Sequence, residues 1–236
     1  MKWVKDRTGR FVQRPHYLPS ELDQECEAII TEFVRKRHHR VEYPILTDDI
    51  TVLIESLTHD LDLYADLSSE DGDVEGVTNF FSGRRPTVRI AKHLSVDTRM
   101  SNRLRTTLTH ELAHVKFHAF MFDGPRTASL FPTSSPTASN KCKRNNLLLA
   151  SQSDWMEWQA GFACGAFLMP ISTLKQTVQS FLESREIKGG SIAARSPAAE
   201  ALIAKVSETY GVSRDAARVR LMQQQSLVAS TTSSLF

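Results

Sequence analysis

No stretch of this 236-residue chain stays apolar for the roughly 20 residues that span a bilayer, so no membrane-spanning helix is expected. Cysteine is scarce: Cys26, Cys142 and Cys164 are odd in number and widely spaced, which fits reduced thiols rather than a disulfide framework. One-sided charge is missing too. A net charge of +2 does not by itself specify a nucleic-acid or membrane partner. No internal repeat is evident, and Met1–Arg7 has no apolar core after it, so no secretory signal is expected and the location is read as cytoplasmic. What remains is ordinary. With 41% hydrophobic and 24% charged residues, the chain suits a soluble globular protein of one substantial domain with appendages or two small ones.

The patterning suggests an α+β protein in three sections: 1–46, 47–170 and 171–236. Residues 1–18 look irregular. From Ser20, a possible cap, Leu22, Cys26, Ile29, Ile30 and Phe33 repeat at helical spacing. Residues 47–67 suggest a second helix with Ile50, Leu53, Ile54 and Leu57 on its buried face. From Val74 to Leu94 the signal turns to β, as a small antiparallel sheet: Val74, Val77, Phe80 and Phe81, a Ser82-Gly83 turn, then Val88, Ile90 and Ala91. Residues 101–120 and 154–168 read as helices. Between them, 123–153 is rich in Ser, Thr, Pro and Asn and reads as a surface loop. Residues 171–236 look helical, broken at Gly189-Gly190 and fraying from 226.

The most specific feature is His110-Glu111-Leu112-Ala113-His114. Leu104, Leu108 and Leu112 recur one turn apart, and Thr106 or Thr107 could cap the helix they define. On a helix, positions i and i+4 share a face, so both imidazoles can address one metal ion. Glu111 then sits beside the ion's open position, placed to accept a proton from attacking water. That is the arrangement of a zinc hydrolase. His118 continues the same face, but eight residues at about 1.5 Å each put it about 12 Å from His110 along the axis. It is therefore expected to support the site without binding the ion.

A third ligand must come from elsewhere. Residues 154–170 are apolar and rich in small side chains, with Glu157 as the one acid in their interior and Pro170 as the stop. A lone carboxylate entering a buried helix needs a partner, and Zn2+ would be one. Favourable placement at a helix N-terminus is the other account of Glu157, and the two are compatible.

These pieces together resemble the ImmA/IrrE metallopeptidase family. Leu108-Thr109-His110-Glu111-Leu112-Ala113-His114 with His118 is one match. Glu157, Ala160, Phe162-Ala163 and Leu168-Met169-Pro170 form the other. Gly76–Phe80, Thr87–Ile90 and Gly211–Leu221 are supporting likenesses. Ala113 stands where the family has Gly, and Gly161 where it has Asn. The resemblance implies a zincin-like core and a zinc endopeptidase with Glu111 as base and His110, His114 and Glu157 as ligands. It further implies a helix–turn–helix repressor as the substrate, cleaved to relieve repression of stress or mobile-element genes.

Other readings stay open. Zincin peptidases hold extended substrates against an edge strand, and Thr87–Lys92 is either that edge or an internal strand. Residues 198–223 could form a helix–turn–helix with Arg214, Arg218 and Arg220 on phosphates, or a plain helical hairpin. The protein could then be a DNA-binding regulator, or a toxin–antitoxin-type partner-binding protein that keeps the metal for structure. Cys142, between Lys141 and Lys143-Arg144, lies where neighbouring cations would favour a metal-seeking thiolate, or on a plain basic loop.

Overall fold

The irregular N-terminus expected from the sequence is instead a hairpin, in which β1 (Lys2–Lys5) pairs antiparallel with β2 (Gln13–His16). The structure, a computed structural model, describes residues 1–70, 73–122, 138–143 and 154–228, without the side chains of 140–143. Helix α1 (Pro19–His38) opens on Pro19, whose missing N–H costs nothing in a first turn. The Glu21 carboxylate, rather than Ser20, closes that end by accepting from the Leu18 N–H at 2.8 Å. Leu22, Cys26, Ile30 and Val34 form its buried stripe.

The helix expected over 47–67 is shorter. Helix α2 (Thr47–Leu57) ends where Asp60-Leu61-Asp62-Leu63-Tyr64-Ala65 begins to alternate, and those residues form strand β3 (Asp60–Ala65). Strands β4 (Val74–Phe81) and β5 (Arg84–Ala91) make the expected hairpin, turned by Gly83 at φ 77°. Strand β6 (Ala138–Lys143) lies within the segment read as loop; residues 123–137 and 144–153 lie outside the described ones. The sheet runs β3-β5-β4-β6. It is mixed rather than antiparallel, because β3 and β5 run parallel. Strand β5 is paired on both sides, so Thr87–Lys92 offers no edge.

Short helix α3 (Lys92–Val96) leads to α4 (Ser101–Phe117), in which Thr106 and Thr107 are buried mid-helix and cap nothing. Helix α5 (Trp155–Leu168) starts on Asp154, whose side chain accepts from the Glu157 N–H. Apolar on nearly every face, it is packed between α4 and α1. Helix α6 (Ile171–Ser184) follows Pro170. Helices α7 (Pro197–Tyr210) and α8 (Arg214–Gln223) are capped by Ser196 and Ser213 and joined through Gly211 at φ 59°. Strands β7 (Ile192–Ala193) and β8 (Leu227–Val228) make a small parallel pair.

The three sections expected from the sequence share one core cluster, running from Tyr17 through Leu108 and Phe167 to Leu227. Two buried arginines fasten it. Arg105 on α4 donates to the carbonyls of Ile45, Tyr210 and Gly211. Arg220 on α8 donates to Asp23 on α1 at 2.5 Å and to the Met169 carbonyl at 3.2 Å. Among the described residues no helix is long and apolar enough to cross a membrane.

Candidate metal centre

Helices α4 and α5 bring His110, His114 and Glu157 together, all buried. His110 and His114 follow from the four-residue period of α4. Glu157 arrives from the first turn of α5, where Asp154 holds its backbone N–H. The two Nε2 atoms lie 3.1 Å apart. The Glu157 carboxylate turns one oxygen to each ring, Oε2 to His110 at 3.2 Å and Oε1 to His114 at 3.1 Å. Ligands bonded at 2.0–2.1 Å around a tetrahedral ion lie about 3.3 Å apart, so the spacing suits a small cation.

The protonation of His114 can be traced from its surroundings. The Pro15 carbonyl can only accept, so the Gln159 amide donates to it through Nε2 at 2.9 Å. Gln159 Oε1 therefore faces His118 and accepts from its Nε2–H at 3.0 Å. Burial and the neighbouring His114 hold His118 well below the usual histidine range, so it is neutral and its Nδ1 is bare. That bare nitrogen accepts from His114 Nδ1–H at 2.9 Å. The relay runs from a backbone carbonyl to the ring and leaves His114 Nε2 facing Glu157 Oε1. Two acceptors at 3.1 Å repel unless a cation lies between them. A proton or a metal ion can serve. Burial favours the neutral ring, but the Glu157 and Glu111 carboxylates outweigh it and raise the His114 pKa. Burial likewise pushes Glu157 up, yet His114 and His110 pull its carboxyl far below the usual range, so it is ionised.

Glu111 sits on the same helix, fully buried, and its surroundings come from the sheet. Thr78 Oγ1 donates to Glu111 Oε2 at 2.5 Å. Gly76, two residues earlier on β4, makes room: a Cβ there would meet Glu111 Oε1 at 2.4 Å. Oε1 is buried and has no hydrogen-bond partner among the described residues. Burial raises the Glu111 pKa, while His114, His110 and the Thr78 hydrogen bond pull partly back. The result is a carboxylate oriented by one oxygen, with the other available for proton transfer.

Sequence reasoning named His110, Glu111, His114 and Glu157, and the structure places all four at this centre; His118 is there as a partner of His114. It missed Thr78, Gly76, Gln159 and Pro15. The α8 arginines point elsewhere: Arg214 and Arg218 both pair with Glu200, and Arg220 is buried against Asp23. Cys26 and Cys164 are buried free thiols. The Cys142 thiol and Arg144 lie outside what the structure describes, so the thiolate reading acquires no geometry. No family model matches the chain, and a search of curated proteins finds no match either.

Proposed function

We propose that the protein is a zinc-dependent endopeptidase with a zincin-like core. One observation carries the reading: a buried His-His-Glu triad of metal-binding atoms lies beside a second buried acid, Glu111, that the sheet holds and the triad does not need. Two imidazoles and a carboxylate are a donor set of catalytic zinc sites with one position left for water. Zinc held there would polarise a scissile carbonyl and lower the pKa of a water ligand to about 7. His110, His114 and Glu157 would hold the ion, and His118 and Gln159 fix the ring of His114. Glu111 takes the proton of the attacking water on Oε1 and delivers it to the departing amine, while Thr78 keeps Oε2 in place. The resemblance to the ImmA/IrrE family suggests a helix–turn–helix repressor as substrate, with neighbouring gene products as the first candidates. The DNA-binding alternative draws nothing from α8, whose arginines are engaged within the chain.

Glu111→Gln keeps size and removes the base. Cleavage of the neighbouring repressor is expected to fall by about 10²–10⁴-fold at equal zinc content, since general base catalysis contributes on that order. Equal rates for the variant and the parent at equal zinc occupancy would reject the mechanism.

A further inference from the structure

The side chains of α5 that support the triad share an outer neighbour. Trp155 sets its ring edge-on to His118, with centroids 5.5 Å apart. Asp154 caps the helix by accepting from the Glu157 N–H. Gln159 accepts from His118 Nε2–H. The β1–β2 hairpin meets each of these from outside. Phe11 lies edge-on to Trp155 at 6.2 Å, and the Arg14 guanidinium stands 5.3 Å from the centre of the same ring. Arg10 donates to Asp154 Oδ1 at 2.7 Å. The Pro15 carbonyl accepts from Gln159 Nε2 at 2.9 Å. The loop that presents Arg10 and Phe11 is shaped from within. The buried Asp6 carboxylate accepts from the N–H groups of Thr8 and Phe11, both at 3.0 Å, and from Thr8 Oγ1 at 2.8 Å. Yet β1 and β2 pair only with each other, and an isolated two-stranded hairpin is marginal in water. The ties from Met1 to Glu21 and from Trp3 to Phe120 lie at the surface. A weakly self-stable element that bears on the supports of a metal centre is coupled to the metal, by the same factor in both directions.

We propose that the N-terminal hairpin is a clasp on the metal centre: residues 10–15 position the supports of His114 and Glu157, and a bound cation in turn tightens the hairpin onto α5. The proposal rests on the triad holding a metal ion and is independent of the reaction that follows. Phe11 is the positioning residue to test. The Arg10–Asp154 pair is more than a third exposed at both ends, and exposed ion pairs carry at most about fivefold. Removing either partner would also change the charge near the ligands. Phe11 is uncharged and rests on Trp155, which is buried against His118, so its loss is felt at the centre through packing alone.

Two measurements test the clasp, both on the full chain with zinc alone as the probe. The first is zinc affinity by chelator competition well below the unfolding midpoint, where a loss of global stability leaves the affinity of the folded protein unchanged. Loss of an outer partner of a metal-bound histidine typically weakens metal binding by about 10–100-fold. Phe11 acts one contact further out, so Phe11→Ala is expected at the lower end, about tenfold. Val12→Ser, at the 89% exposed neighbouring position, is expected to match the parent, and an equal loss there would overturn the role given to Phe11. Phe11→Ala within twofold of the parent overturns the proposal. The second is hydrogen exchange of the parent with and without zinc, followed by mass spectrometry. Because the coupling is reciprocal, residues 2–16 are expected to exchange more slowly with zinc bound, by a factor similar to the affinity change. This measurement needs no variant, so the proposal is decided even if Phe11→Ala fails to fold. Protection gained over α4 and α5 with residues 2–16 unchanged rejects the clasp and leaves the metal centre standing. A parent chain that binds no zinc rejects the metal centre and the clasp with it.

Discussion

A single methyl group at residue 76 reports how tightly Glu111 is held. Gly76→Ala would place a Cβ 2.4 Å from Glu111 Oε1 and 2.9 Å from its Cδ, so either the strand or the carboxylate must move. Overpacking of this kind costs about 1–3 kcal/mol. Gly76→Ala is expected to lower the midpoint of urea unfolding by that amount and cut cleavage, with one zinc still bound. In a Glu111→Ala background most of the stability loss should vanish, and an undiminished loss would mean that the two residues are not coupled. His118 is tested differently. His118→Phe removes the acceptor for His114 Nδ1–H, and loss of such an outer partner typically weakens metal affinity by about 10–100-fold. Chelator titration should show that drop with one site retained; loss of the site altogether would make His118 a ligand. At this scale legibility followed locality. His110, Glu111 and His114 could be read because a helix's own period brings them together, and Glu157 because a lone acid in a small-residue helix needs a reason. Gly76, Thr78 and Pro15 could not, since each meets the centre across a tertiary contact that no spacing encodes.

Among the elements, α8 is fixed by the Arg220–Asp23 pair, which is buried at both ends. Removing one partner strands a buried charge, at a cost of about 3–5 kcal/mol. Asp23→Ala is expected to lose stability in that range by urea denaturation, and Asp23→Ala/Arg220→Met distinctly less; equal losses would show that the pair carries no special coupling. The strong helical stripes of α1 and α2 were legible, as was the β4–β5 hairpin with its Ser82-Gly83 turn. Strand β3 was not, because Leu61 and Leu63 continue the apolar content of α2 and mask the change of period. Strand β6 was hidden more deeply: its residues are poor strand formers, and its pairing with β4 is a tertiary contact that no local spacing encodes.

Over the whole molecule, both helices that carry the candidate metal centre run through the one main core, so an ion joining them should stabilise the chain as a unit. Zinc at about 1,000 times its dissociation constant would add about 4 kcal/mol, and chelation should lower the unfolding temperature correspondingly. The increment should depend on pH with a defined sign. The protonated His114–Glu157 pair contributes stability that is fully present below the unfolded histidine value and is lost as pH rises through the raised folded one. Zinc needs the same Nε2 without its proton, so its stabilisation should be smallest in acid and grow across that window. Calorimetry with and without zinc at several pH values would show this, and an increment that shrinks with rising pH would contradict it.

Arg105 carries a last consequence, for how this protein can be dissected. Its guanidinium is satisfied by carbonyls at 45, 210 and 211, all outside the 47–170 segment that the sequence marks as the catalytic core. An expression fragment cut at those boundaries would keep every ligand yet leave a buried cation with five donors and none of these acceptors, five residues from the first ligand. The smallest autonomous piece must reach past the α7–α8 turn. The C-terminal helices are then part of what holds the helix that carries His110 and His114, and a fragment without them loses two of the carbonyls that satisfy Arg105.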